Sequence, residues 1–442
     1  MVLGLAATAF AIHAEIPAET QAVVATGTTQ ITLGGELRTR GWWRSNIAGG
    51  LGQDTNDQAW WDQRVRLSVE AKVAPGVVGY VQLETESVDS GDKYVWGHGA
   101  NRTTGLAVNS KPDADITLLQ AWIQYSGQGL FGFNSGLKVG HMPLKLSYGQ
   151  FFDNTQYGDD ALVLFMDPVK GLHIGLLTFK GAEFSTSDNT NDLDAYVGLL
   201  TYRWDEKNTV GINYAYLNLS DIELQMSNLG LHADGAFGAF GYKAAADIQF
   251  GDARNDDFGG FALSAYLNYD FNTMNVPLNL RGSVVYGSGE GDFNDDNLDE
   301  FLPFTGNTQN YSFIYEYQHR TTAFNKTGLN PAAPSDGHAA GVANTTYLNL
   351  GLDWFATKDI TLSTDVYGFW ASDTDAWEDF TGDDVSSSAG WEIDAKFKYK
   401  VARNLVYQID LGYFDPGGFY EDAYGIDDKG VTALRHSLTL SF

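Results

Sequence analysis

The chain has 442 residues, with 27 Lys+Arg against 56 Asp+Glu, a formal charge of −29 and a pI near 4.4. Cysteine is absent, which excludes a disulfide scaffold, a thiolate metal site and a cysteine nucleophile. The acidity argues against a nucleic-acid partner. A mean hydropathy of −0.22, with no run of 18 apolar residues beyond residue 14, argues against a helical membrane protein. With 11 Trp, 23 Tyr and 26 Phe the composition is too aromatic for a solvated coil.

Residues 1–14 read as a secretory signal. Val2 to Ala14 is apolar and rich in small residues, and Ala9-Phe10-Ala11 or a cut after Ala14 supplies the cleavage site. The basic leading residues of such a signal are missing, so it is taken as truncated at its N-terminus; a buried apolar helix is the alternative. Residues 15–28 are expected to be a periplasmic segment, and 29–442 the folded domain.

Along that domain, apolar and polar residues alternate with period two. The clearest case is Asp62 to Val73, where Arg64, Arg66, Ser68, Glu70 and Lys72 alternate with Val65, Leu67, Val69, Ala71 and Val73. That is a strand with one wet and one dry face. In chain order the pattern predicts eighteen strands near 29–45, 59–74, 77–89, 114–127, 135–150, 159–166, 171–183, 193–205, 208–220, 225–237, 239–252, 258–271, 277–288, 345–356, 360–373, 390–402, 405–415 and 434–442. The sixth to eleventh alternate least regularly.

Connections after even-numbered strands are short turns such as Pro75-Gly76 and Arg403-Asn404. Those after odd-numbered strands are mostly long and polar, at 46–58, 90–113, 289–344, 374–389 and 416–433. Loops sorted by length to opposite ends predict an all-β fold: a transmembrane antiparallel up-and-down β-barrel with periplasmic turns and acidic extracellular loops. The chain ends on an alternating segment closed by Phe442, which reads as the strand that pairs with the first so that no edge faces lipid. Trp42, Trp43, Trp60, Trp61, Trp122, Tyr125, Tyr214, Tyr216, Trp354, Trp370, Trp391 and Tyr413 bunch near strand ends, as two interfacial girdles would.

This organisation resembles bacterial outer-membrane porins and, more narrowly, the alginate-export family of eighteen-stranded channels. The resemblance rests on Ile31 to Arg40, the Arg64/Arg66 strand, Leu137-Lys138-Val139-Gly140-His141 and Leu229 to Gly235. The family often carries an arginine where His141 stands. The resemblance implies a Gram-negative outer-membrane location and recognition of the Phe442 terminus by the barrel-insertion machinery. Lipid and lipopolysaccharide would surround the protein, as a monomer or a homo-oligomer.

If dry faces meet lipid, wet faces line the lumen, because a lipid-facing Arg or Lys at mid-depth costs about 2–4 kcal/mol. The candidate basic lining is Arg38, Arg40, Arg64, Arg66, Lys396, Lys398, Lys400 and Arg435. The candidate acidic lining is Glu36, Asp62, Glu70, Glu84, Glu86, Asp353, Asp365, Glu392 and Asp394, with Asp234, Asp247 and Asp270 further round. These charges either select solutes or pair to stiffen the wall. Acidic loops offer candidate Ca²⁺ or Mg²⁺ positions at Asp292, Asp295, Asp296, Asp299, Asp383 and Asp384, without EF-hand spacing. No other cofactor is indicated. The loop 289–344 is too long for a plain connection, and part of it is expected to fold inward and narrow the pore.

No Gly-x-Ser-x-Gly elbow, His-Glu-x-x-His or phosphate loop is present, and the eight histidines lack metal-ligand spacing, so an enzyme is not expected. The leading reading is a passive channel for small hydrophilic or charged solutes. The alternatives are an export conduit for a secreted polysaccharide and a barrel sheath around an electron-transfer partner, which fails if 289–344 enters the pore.

Overall fold

The computed structural model describes residues 22–26, 29–46, 57–86, 94–96, 114–128, 132–182, 192–219, 223–254, 256–292, 294–304, 311–315, 341–425 and 429–442. The apolar leader at 1–14 and most of the loop 90–113 lie outside them. Within them, eighteen long strands form one antiparallel wall. They are β1 Thr29–Ser45, β2 Gln58–Ala74, β3 Val77–Glu86, β4 Asp115–Gly127, β5 Asn134–Met142, β6 Asp159–Val169, β7 Leu172–Ala182, β8 Leu193–Arg203 and β9 Thr209–Leu219. The second half comprises β10 Leu224–Phe237, β11 Phe240–Ala253, β12 Phe261–Asp270, β13 Leu278–Gly287, β14 Thr345–Trp354, β15 Ile360–Ala371, β16 Ser388–Ala402, β17 Leu405–Pro416 and β18 Val431–Ser441. Two short helices, α1 Asp375–Thr381 and α2 Phe419–Tyr424, stand in the last two odd-numbered connections. No described helix is long and apolar enough to cross a membrane.

The wall closes on itself. β18 pairs with β1 from Glu36↔Ser441 to Ser45↔Thr432, and Phe442 extends the ladder by exchanging both backbone hydrogen bonds with Gly35. The first residues of β1 reach past the end of β18. Residues Ala22–Thr26 fold back to cover them, from Ala22↔Leu33 to Thr26↔Thr29. Every edge backbone group so paired is one that hydrocarbon could not satisfy.

The dry faces point outward. Leu67 and Val69 on β2, Val81 and Leu83 on β3, Leu348 and Leu350 on β14 and Leu438 and Leu440 on β18 are all exposed. Trp43, Trp61, Tyr125, Tyr214, Trp354, Trp370, Trp391 and Tyr413 are exposed with them, as a girdle requires. Trp42, Trp60 and Trp122 depart from that expectation. They share the phase of the wet residues and turn inward, Trp122 stacking on Tyr80 at 5.1 Å.

The largest correction falls on the strand expected over 135–150. It ends at Met142, and Pro143 follows, which has no N–H for the ladder. Residues 143–158 leave the wall as a small hairpin, with Leu146 N–H donating to Phe152 O (3.0 Å) and Asn154 N–H to Leu144 O (2.9 Å). Leu144, Leu146, Phe151 and Phe152 are buried inside the barrel. The alternation continues past Pro143 because this hairpin also has a dry face, which meets the inner wall in place of lipid.

Candidate functional site

The site is the lumen, and two inward segments shape it. The first is 143–158. It crosses to β9–β11, where Asn213 Nδ2 donates to Ser147 Oγ (2.6 Å) and Ser147 Oγ meets His232 Nδ1 (3.0 Å). Tyr148 donates its hydroxyl to Asp234 (3.0 Å), and Gln150 Nε2 donates to Asp247 (3.0 Å). Burial and then the Asp234 carboxylate push the Tyr148 phenol well above its usual range, so it remains the donor. The turn needs left-handed backbone at Ser147 (φ 48°) and at Gly149 (φ 84°), where a Cβ would lie 2.8 Å from the Asp153 carboxylate.

The second segment comes from the long connection after β13. Gln249 on β11 takes both backbone groups of Leu302: Leu302 N–H donates to Oε1 (2.9 Å), and Nε2 donates to Leu302 O (2.7 Å). Phe304 N–H then donates to Phe151 O (2.8 Å), and its ring packs among Phe151, Phe152 and Phe179. The two inward segments therefore meet at an aromatic contact. Further on, Tyr311–Tyr315 lies against β14–β18 and β1. Tyr315 stacks on Phe369 at 3.9 Å, and Tyr367 donates its hydroxyl to Tyr311 O.

The tip of this second segment hangs on one carboxylate. Glu392, which is 0% exposed, accepts the backbone N–H groups of Phe313 (2.7 Å), Ile314 (2.8 Å) and Tyr315 (2.8 Å). Asp394 accepts a further, longer bond from Phe313 N–H (3.2 Å). Among the described residues of 289–344, Leu302, Phe304 and Phe313–Tyr315 bond to Gln249, to Phe151 and to Glu392. Residues 305–310 and 316–340 lie outside the described set.

The structure pairs Arg40, Arg64, Arg66 and Arg435 of the expected basic set with acids. Arg40 Nε donates to Asp62 (2.8 Å), which is fully buried and also accepts Trp42 Nε1 (2.8 Å). Arg64 Nη2 donates to Glu36 (2.6 Å), Arg66 pairs with Glu84, and Arg435 Nε donates to Asp410 (2.9 Å). Lys72 reaches Glu70 at 3.0 Å. Arg38 lies opposite Arg64 across the β1–β2 register. Lys396, Lys398 and Lys400 differ. They run down β16 toward the short-turn end, exposed, and make no ion pair among the described residues. The side chain of Glu86 lies outside the described residues.

On the neighbouring strands β13–β15, Asp353 and Asp365 both hold Arg281. Nε and Nη2 donate to Asp353 (3.0 Å each), and Nη1 and Nη2 donate to Asp365 (2.8 and 2.9 Å). Arg281 was missing from the expected basic set, although Leu278, Leu280 and Val284 around it alternate as clearly as on β2. The contacts at Ser147, His232 and Gln249 had no sequence signal, because each joins residues more than fifty positions apart.

Asp292 accepts Asn294 N–H (2.8 Å), and Asp295 accepts Asn297 N–H (3.0 Å) in local turns. Asp296, Asp299, Asp383 and Asp384 are exposed. No three His, Asp or Glu side chains converge on a metal position among the described residues.

A closed barrel with an oily exterior, a charged interior and loops sorted by end is an outer-membrane channel of the porin type. The sequence model of the alginate export family matches residues 29–433, and the chain belongs to that family. No curated protein matches it. Among solved structures the fold is similar to three from Pseudomonas aeruginosa. OccK9 (OpdG) has 14% identity and a TM-score of 0.57, with 93% of this chain and 98% of that one covered. OpdO gives 14%, 0.57, 93% and 97%, and OpdL gives 13%, 0.57, 93% and 98%.

Proposed function

We propose that this protein is a passive channel in the outer membrane of a Gram-negative bacterium, carrying small hydrophilic or charged solutes through a mixed-charge lumen narrowed by its two inward segments. The observation that carries this reading is the inequality of the lumen's two sides. Between β5 and β9 the inner wall is apolar and covered by 143–158. From β16 through β18 to β3 it is charged, and Lys396, Lys398 and Lys400 stand exposed along it. A solute therefore travels off-centre, beside the basic row, where a fixed field in a low-dielectric tube discriminates by charge. Phe442 is the residue offered to the insertion machinery in this reading.

Purified protein in planar bilayers tests it. Discrete ion-conducting steps are expected, with a reversal potential displaced toward anions. Changing Lys396, Lys398 and Lys400 together to Glu should move that potential toward cations. Bilayers that stay silent at every protein concentration would remove the channel reading.

Family membership supports a second reading, an export conduit for an acidic polysaccharide. The half-buried ring of Phe304 and the buried Ile314 and Tyr315 speak against a polymer threading this closed arrangement. They also leave little room for an enclosed partner protein. Polysaccharide that blocks the ion current from the periplasmic side at micromolar concentration would favour the conduit.

A further inference from the structure

Phe313 is held in an unusual way for a loop residue. Its ring lies 6.1 Å from Trp42 at an interplanar angle of 15°. The guanidinium of Arg435 stands 4.9 Å over the Phe313 ring and 5.0 Å over Trp42. Trp42 continues the stack to Trp60, 5.5 Å away at 10°, and Arg44 sits over both, at 4.6 and 5.1 Å. Arg40 adds a third guanidinium at 5.3 Å from Trp42. Stacking and cation–π attraction are how proteins hold flat rings, and guanidinium forks are how they hold carboxylates.

The cleft that Phe313 occupies beside Trp42 and Arg435 is accordingly built for a planar ring that carries a negative charge, and Phe313 supplies only the ring. Phe313 and Trp42 are both half-buried, within reach of lumenal water. The bond to Asp410 engages Nε and Nη2 of Arg435, which leaves its Nη1 donors outside that contact. The seat is made by space as well as by attraction. A Cβ at Gly412 would lie 2.9 Å from the Phe313 ring and 3.1 Å from Ile314. The backbone of the tip is satisfied separately by Glu392, so the ring can leave while the loop stays tethered.

We propose that this cleft is a binding site for aromatic carboxylates among the channel's solutes, and that Phe313 is its built-in placeholder. The inference rests on the channel reading and adds the class of solute. A bound ring replaces that of Phe313 on Trp42, and its carboxylate takes the guanidinium donors that a phenyl side chain leaves unused.

The test is current through the full-length channel in planar bilayers, titrated with benzoate, acetate and benzyl alcohol. Benzoate should interrupt the current at concentrations about tenfold below either of the others, which lack the ring or the charge. Phe313→Ala should strengthen the benzoate effect about fivefold, because the placeholder no longer competes. Trp42→Ala should erase the preference, and Trp43→Ala, on the lipid side, should leave it intact. Equal effects of benzoate and acetate in the wild-type channel and in Phe313→Ala would overturn the proposal while leaving the channel reading in place. A chain that never conducts would overturn the channel reading itself.

Discussion

The two halves of the inner wall obey different rules. On β1 and β2 most inward residues are charged or polar, with Trp42 and Trp60 stacked among them. On β6 to β9 the inward residues include Ala161, Val163, Leu177, Phe179, Val197, Leu199, Ala215 and Leu217, all buried. Period-two alternation records a contrast between lipid and water. Where the chain's own hairpin replaces the water, the contrast vanishes and both faces read as dry. That is why the sixth to ninth strands alternate poorly in sequence while forming as regular a wall as the rest.

The comparison breaks first where the covered half is uncovered. Phe152→Ala removes the ring shared by both inward segments, and a large-to-small change at such a site costs about 3–5 kcal/mol. The expected outcome is a higher single-channel conductance and earlier loss of the compact band on a heat-modifiability gel. An unchanged conductance would show that the aromatic contact does not restrict the path.

The inner and outer faces can be set against each other directly. Leu350→Arg places a cation among lipid tails at a cost of about 2–4 kcal/mol, read as a fall in urea midpoint. Ser437→Arg, on the inward face of β18, should change that midpoint little. Equal losses would mean that the assignment of faces is wrong.

A smaller effect is expected at the latch. Glu392→Gln keeps one acceptor oxygen but turns an amide NH₂ toward an N–H it formerly bonded. Hydrogen bonds to a charged group contribute about 1.5–3 kcal/mol, so the amides of residues 313–315 should exchange faster with solvent. Unaltered exchange there would mean that ring packing alone holds the tip.

The smallest effect lies in a short-end turn. Asp205 accepts the N–H groups of Lys207 (2.8 Å) and Asn208 (2.7 Å), and the Lys207 bond in particular lowers its pKa. A lowered folded pKa adds stability above the unfolded value and loses it as pH falls through the folded one. Asp205→Ala should therefore lower the melting temperature slightly at pH 7 and not at all at pH 2. A loss that persists at pH 2 would point to backbone geometry in place of the charge.

The wall was legible in residues alone. A strand between oil and water must alternate, and turns that alternate with long loops assign the two ends. The expected inward charges on β1, β2, β16 and β18 follow from that rule, and they share the phase opposite to the exposed Leu and Val. The outward placement of Trp42 and Trp60 was misread because proximity to a strand end outweighed phase. Arg281 was passed over although its own strand alternates.

What the sequence by itself determined is the cylinder, since its alternation is local and repeats residue by residue. Tertiary structure alone decided which carboxylate each guanidinium meets, where 143–158 leaves the wall, and what Phe313 touches. Those contacts join positions far apart in the chain. They depend on strand register and on segments that fold back inside, and no local pattern encodes either.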